Sequence, residues 1–351
     1  MLRRTKIICT IGPASNDFDT LNAMYEAGMN VARINMSHAT HDDAARTIGW
    51  IKTLNRKAKY PVPVLIDTQG PEIRTAKLDR PLVLRKGTEV VLIPESRDYK
   101  GPVTSSLEVQ FEGLKGAVSI GDTIVLDNGL INLRVSDQEP AAIRCAVLDD
   151  GEIGSRKHVN IPGVHINLPA ITPKDRDDVA FGLDLDVDFI AQSFVRSHED
   201  IVKMRELLGA RNHGVHIVAK IENREGAKNI GSIAKAADGL MVARGDLGIE
   251  TDIATLPNLQ RQLVRSSFQS GRRSIVATHL LESMVEHPIP TRAEVTDVAN
   301  AIYEGVDAVM LSAETSIGEH AVKAVEQLAE IAMASERFPD LGFAQELATE
   351  S

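Results

Sequence analysis

Residues 215–243, VHIVAKIENREGAKNIGSIAKAADGLMVA, contain a short apolar run (Val215–Ile221), a segment of helical periodicity (Asn229–Ala236) and a second apolar run (Gly239–Ala243). Both runs are continuous rather than alternating, the pattern of strands covered on both faces in a parallel sheet flanked by helices. The unit recurs along the chain. Further apolar runs lie at Lys6–Thr10, Asn30–Asn35, Val62–Asp67, Val187–Ser193, Arg273–Ala277 and Ala308–Leu311, making eight in all. Helical segments fall at Asp17–Ala27, Asp42–Arg56, Lys174–Gly182, His198–Leu208, Leu256–Ser270, Arg292–Glu304 and Ala321–Phe338. Thr291 with Glu294 carries a capping-box signal, and Ser197 stands as an N-cap before His198. Eight strands, each followed by a helix, predict an α/β fold of the (β/α)8 TIM-barrel type. The competing doubly wound sheet needs a crevice motif, and the chain has neither a dinucleotide fingerprint nor a Walker A loop.

One interval interrupts the alternation. Between about Thr75 and Gly163 the pattern becomes short strands with turn signals, as in Thr123–Val135, where Asp127-Asn128-Gly129 separates two apolar runs. This stretch reads as a small all-β domain inserted after the third barrel strand. A barrel takes about 250 residues, so barrel and insert together account for the chain. The predicted organisation is a barrel at 1–74 and 164–338, an inserted β domain at 75–163 and a polar tail at 339–351.

Composition sets the outer limits. Of 351 residues, 43% are hydrophobic and 25% charged, ordinary values for a packed globular chain. The formal net charge of −10, with both signs mixed along the chain, argues against nucleic acid or an anionic membrane as partner. Two cysteines, Cys9 and Cys145, make no disulfide framework and no metal cluster. The N-terminus has no apolar segment of signal-peptide or membrane-spanning type, so the cytoplasm is the expected location.

In a barrel of this type the polar residues that end the strands carry the chemistry. Lys220 and Glu222 are two apart on the fifth strand and share its inward face, and Asp246 follows the sixth strand. Two carboxylates from adjacent strand ends suit Mg²⁺ that keeps several waters, with Lys220 as a cation for a transferring phosphoryl group. A surface ion pair would explain Lys-x-Glu alone, but not its combination with Asp246. Arg33 and Asn35 share a face of the second strand, with Ser37 and His38 at its turn, and the third strand ends Asp67-Thr68. Asn35, Ser37, Asp67 and Thr68 form an oxygen set open to a monovalent or a divalent cation, or to simple loop capping. Thr278, after the seventh strand, offers a proton-relay hydroxyl that Glu314 would orient through water, although helix capping accounts for both equally well. His279 reads as a general acid or as a structural histidine.

Four stretches resemble pyruvate kinases: KIICTIGPAS (Lys6–Ser15), NVARINMSH (Asn30–His38), DTQGPEIRT (Asp67–Thr75) and IVAKIENRE (Ile217–Glu225). MVARGDLGIE (Met241–Glu250), ATHLLESM (Ala277–Met284) and PTRAEVTDVAN (Pro290–Asn300) extend the likeness, which runs from Thr5 to about Glu336. It implies a cytoplasmic glycolytic phosphotransferase that moves the phosphoryl group of phosphoenolpyruvate to ADP, giving pyruvate and ATP. The resemblance assigns Lys220 to the transferring phosphoryl group, and Glu222 and Asp246 to Mg²⁺ (or Mn²⁺). It assigns the backbone at Gly245 and Asp246 to the substrate carboxylate, and Thr278, Ser312 and Glu314 to the proton relay. Asn35, Ser37, Asp67 and Thr68 match K⁺ ligands, and Glu72 matches the residue of K⁺-requiring members. Arg33, His38, Arg74 and Lys157 match nucleotide- and phosphate-facing positions, and the inserted domain is expected to act as a lid.

Departures from the family pattern are Gln69 where Lys is usual, His279 where Gln or Asn is common, and Ala313 where Gly is frequent. The sequence also stops after the last barrel helix, without the C-terminal domain that carries the family's effector site. Control at that site is therefore not expected, while a homo-oligomer, at least a dimer through the barrel, is. The alternative reading is a catalytically weak paralogue serving as a metabolite sensor or binding partner.

Overall fold

The computed structural model describes residues 3–95, 99–101, 105–164, 166 and 168–337; the tail assigned to 339–351 lies outside them. The chain divides into two compact units, one of residues 1–70, 170–247 and 254 onward, the other of 71–169 with 248–253.

The first unit is a closed barrel of eight parallel strands: Lys6–Ile11, Val31–Asn35, Val64–Asp67, Phe189–Gln192, His216–Ile221, Gly239–Ala243, Arg273–Ala277 and Ala308–Leu311. They follow one another around the barrel in chain order, and the first closes on the last with Lys6 opposite Ala308 and Cys9 opposite Leu311. Strand parity explains the continuous apolar runs. Ile8, Leu65, Ala191, Val218, Met241, Ile275 and Met310 fill the barrel interior. Their sequence neighbours Ile7, Cys9, Ile66, Ile190, Ile217, Ala219 and Val309 point outward into a second buried layer, shared with helix residues such as Leu21, Ile48, Val179, Ile201, Leu263, Val298 and Leu328. Both faces are covered, so neither face has polar alternation.

Eight principal helices form the outer ring: Phe18–Ala27, His41–Asn55, Pro173–Asp184, His198–Leu208, Ile230–Ala236, Leu256–Gln269, Arg292–Tyr303 and Ala321–Ser335. The Thr291–Glu294 capping box is formed, and a second, Thr172 with Asp175 and Pro173 behind the cap, starts the helix after the insert. Ser197 occupies the N-cap position, but its hydroxyl makes no bond to a helix N–H. At this helix start the Asp200 carboxylate accepts the Arg196 N–H.

The second unit holds a six-stranded sheet in the order Val159–Asn160, Thr123–Leu126, Ile131–Gln138, Ile143–Val147, Glu89–Pro94 and Ser106–Val109, and a separate pair, Leu82–Leu84 with Gly151–Ile153. Asp127, Asn128 and Gly129 all have positive φ (49°, 57° and 97°), which turns the chain between two antiparallel strands. The sheet has its own core, which includes Val90, Leu92, Ile124, Leu133 and Cys145. This unit starts at Pro71 and runs to Pro169, wider than the interval 75–163, because Ile73, Val164, Ile166 and Leu168 pack against its core. A short helix, Leu114–Ala117, interrupts the strands. No helix among the described residues is long and apolar enough to cross a membrane.

Candidate active site

The inward face that buries Val218 also carries Lys220, one step toward the C-terminal end of the strand. The same parity places Thr10, Arg33, Asp67 and Ser193 beyond Ile8, Val31, Leu65 and Ala191. All five, Lys220 included, are charged or hydroxyl groups less than a tenth exposed, so each needs a partner.

They supply one another. Asp67, fully buried, accepts on Oδ2 from Arg33 Nε and Nη2, both at 2.7 Å, and its Oδ1 lies 3.0 Å from Lys220 Nζ. The Lys220 ammonium also meets Glu222 Oε1 at 2.9 Å and donates to Ser193 Oγ at 2.7 Å. The Ser193 hydroxyl passes its own proton to the Thr68 carbonyl at 2.7 Å. Arg33 Nη1 donates to Thr10 Oγ1 at 2.8 Å, and Glu222 Oε2 accepts the Phe194 N–H at 2.7 Å. The result is a chain of alternating sign, Arg33–Asp67–Lys220–Glu222, whose geometry is set by four neighbouring strand ends.

Titration follows from that order. Burial alone would raise the Asp67 carboxyl, but the Lys220 and Arg33 cations outweigh it and hold Asp67 below the usual range. Burial alone would lower Lys220, but Asp67 and Glu222 reverse this and hold the ammonium firmly charged. Glu222 ends the chain. Burial pushes it up to about 7 against the pull of Lys220, and the charges of Asp246 and Asp67 add to the rise. Glu222 is therefore a carboxylate whose charge is disfavoured, in part by the neighbouring Asp246 charge, the condition a divalent cation relieves. Among the described residues there is no group of three or more His, Cys, Asp or Glu side chains that would cage a metal. Any ion here would keep open positions for water or substrate.

Asn35 and Asp67 stand opposite each other in the register of adjacent strands. Asn35 Oδ1 accepts the Ser37 N–H at 3.1 Å, and Thr68 Oγ1 accepts the Ser193 N–H at 3.2 Å. His38 lies on the same turn, its N–H bonded to the Asn35 carbonyl. Gly70, at φ 74°, passes so close to Ser193 that an added Cβ would lie 2.8 Å from its Cβ. No larger residue fits there without displacing that hydroxyl.

Thr278 Oγ1 accepts the Gly245 N–H at 2.9 Å and donates to the Ala277 carbonyl at 2.6 Å. Glu314, fully buried, accepts the N–H groups of Leu281 (3.0 Å) and Ser312 (2.7 Å), and burial raises its pKa despite them. Ser312 Oγ is buried without a hydrogen-bond partner among the described residues.

Arg74 and Lys157 belong to the β unit and sit in two separate ion pairs there. Lys157 pairs with Asp127 at 2.9 Å. Arg74 pairs with Glu72 at 2.7 Å, and His158 Nε2 lies 3.4 Å from the same carboxylate. Burial would raise Glu72, but these two partners together hold it below its ordinary 4.5. The sign follows directly: a depressed carboxyl contributes stability that is complete above 4.5 and disappears as pH falls through the folded value. Glu72→Gln is expected to cost about 1–3 kcal/mol at neutral pH. That difference should vanish in acid, as read from urea unfolding between pH 3 and 7. A difference independent of pH would show that the charge of Glu72 is irrelevant.

Ser193 is the site residue that sequence reasoning passed over. Its signal was available, a hydroxyl closing the fourth apolar run, but nothing local shows that it bridges Lys220 and Thr68.

A family model described as pyruvate kinase, barrel domain, matches residues 2–325. Pyruvate kinase of Geobacillus stearothermophilus is 46% identical over 341 residues, covering 96% of this chain and 58% of that protein. The pyruvate kinases of Staphylococcus epidermidis and Staphylococcus aureus are each 43% identical over 342 residues, covering 97% of this chain and 58% of theirs. The chain thus spans little more than half the length of these relatives.

Proposed function

The chain belongs to the pyruvate kinase family, and we propose that it transfers the phosphoryl group of phosphoenolpyruvate to ADP and returns a proton to the resulting enolate, giving pyruvate and ATP. The observation that carries this reading is the Lys220 ammonium, held by Asp67, Glu222 and Ser193 at the mouth-side end of the barrel interior. Phosphoryl transfer needs fixed positive charge more than covalent chemistry, and an ammonium already in place does not have to reorganise as charge develops.

Lys220 and Arg33 supply that charge in the barrel. His38, Arg74 and Lys157 are assigned with Arg33 to the nucleotide and its phosphates. The backbone N–H groups of Asp246 and of Gly245, the latter on exchanging its bond to Thr278 Oγ1, receive the substrate carboxylate. Thr278 delivers a proton to the enolate carbon from its hydroxyl and regains one through Ser312 and Glu314. The unpartnered Ser312 Oγ and the raised pKa of Glu314 support a proton-carrying role for that corner.

Glu222 and Asp246 would hold Mg²⁺ (or Mn²⁺), which when bound neutralises charge on the substrate oxygens. The oxygens of Asn35, Ser37, Asp67 and Thr68 would hold K⁺. The charge of Asp67 is already shared by Arg33 and Lys220, so little is left for a divalent ion, which favours a monovalent one. We place the protein in the cytoplasm, as a homo-oligomer built through its barrel.

The test is pyruvate formation from phosphoenolpyruvate with Mg²⁺, with and without ADP and with and without K⁺. Turnover that requires ADP and rises with K⁺ is expected, and Glu72→Lys should lower the K⁺ requirement. Folded protein without ADP-dependent turnover would overturn the reading.

A further inference from the structure

Thr278 and His279 follow the seventh barrel strand at φ of 70° and 53°. Neither is glycine, and a β-branched residue in the left-handed region persists only where its surroundings over-determine it. One side chain grips the backbone of both residues. Arg244, 9% exposed, directly follows the sixth strand as the first residue of the short helix Arg244–Glu250 and reaches across to the turn of the seventh. Its Nε and Nη2 donate to the Thr278 carbonyl at 3.2 and 2.6 Å, and Nη2 also donates to the His279 carbonyl at 3.1 Å. Nη1 is anchored by both Asp297 oxygens, at 2.8 and 2.7 Å, with Gln260 Oε1 at 3.4 Å. Gln260 is itself bonded to Glu304 at 2.9 Å.

We infer that Arg244, aimed by Asp297, is a positioning residue that holds Thr278 and His279 in their left-handed conformation and so directs the Thr278 hydroxyl at the Gly245 N–H. Arg244 and Gly245 are consecutive, so one short segment grips both the carbonyl and the hydroxyl of Thr278. The planar fork matters. Five contacts, three to two carbonyls and two to a carboxylate, are made at once, which a lysine ammonium on a flexible stem does not reproduce. The consequence for catalysis rests on the proposed role of Thr278 in proton return.

Arg244→Lys keeps the charge and removes the fork. Its kcat and KM for phosphoenolpyruvate are to be measured beside the exchange of pyruvate methyl hydrogens for deuterium in D2O. In that exchange a C–H bond breaks to give the enolate, and a deuteron returns to the same carbon. Both kcat and the exchange rate are expected to fall about 100-fold while KM changes only a few-fold, the signature of a displaced reacting group. Asp297→Asn, at a side chain 38% exposed, should fold normally and give a smaller loss of the same kind. A role confined to stability would lower the melting temperature and leave kcat per folded molecule unchanged, and that result overturns the proposal. If the wild type lacks ADP-dependent turnover, the proposed reaction fails, and the crystal structures of the two variants then decide the positioning claim. Positive φ retained at both Thr278 and His279 rejects it, and relaxation of either supports it.

Discussion

Lys220→Met is expected to lower kcat/KM for phosphoryl transfer by at least about 10³-fold, the range seen when a fixed group opposite developing charge is lost. In free energy that is about 4 kcal/mol of transition-state stabilisation. The fold should survive, for a reason visible in the ion chain. Asp67 keeps Arg33 as its partner, at 2.7 Å. Glu222, already raised to about 7, takes up a proton once the ammonium is gone. Methionine fills much of the lysine stem, so the melting temperature should fall by only a few degrees while activity disappears. Steady-state kinetics and thermal unfolding on one preparation check both halves. A variant that keeps most of its turnover would remove Lys220 from the chemistry.

Asp67→Asn reverses the balance between activity and stability. Among the described residues Asp67 is the one carboxylate that touches both cations, and without its charge Arg33 and Lys220 keep, of these ion pairs, the one to Glu222. Breaking a buried pair in this way costs about 3–5 kcal/mol. Turnover should fall as well, by roughly 10²-fold, because both cations lose the group that aims them. Glu222→Gln is the informative control, since burial raises the Glu222 carboxyl to about 7, so at pH 7 it is only partly ionised and gives up less when its charge is removed. Urea unfolding of the two variants should rank Asp67→Asn as clearly the more damaging to the fold. Equal losses, or a loss near zero at Asp67, would show that the chain of charges does not hold the strand ends together.

The barrel was legible because its strands obey a simple rule. With both faces covered, most strands are largely apolar runs without alternation, and the runs Gly239–Ala243, Arg273–Ala277 and Ala308–Leu311 coincide with observed strands. Three short helices escaped, namely Arg224–Lys228, Arg244–Glu250 and Ala313–Ser316, since four to seven residues carry little measurable period, although the seven-residue Ile230–Ala236 was read. Within the candidate site, period two alone puts Lys220 beside Glu222. What it does not reveal is which strand end lies opposite which. Asp67 reads in sequence as an oxygen ligand, and only the pairing of neighbouring strands makes it the counter-ion of Arg33 and Lys220. Ser193 and Arg244 are hidden for the same cause, because their partners lie on other strands and helices. The left-handed Thr278-His279 pair had almost no local cue, since histidine is only enriched in that conformation and a β-branched threonine opposes it.

Closure of the barrel by Lys6 against Ala308 also has a kinetic side. During synthesis the first strand leaves the ribosome roughly three hundred residues before the strand that seals its open edge. The third and fourth strands, Leu65 opposite Phe189, are likewise parted by the whole β insert. The hairpins of that insert pair residues near in sequence, such as Leu126 with Ile131, and can form as soon as they emerge. The nascent chain thus carries a finished small sheet while its larger sheet still has an apolar, unpaired margin. The cell must protect that margin from other chains until the eighth strand arrives.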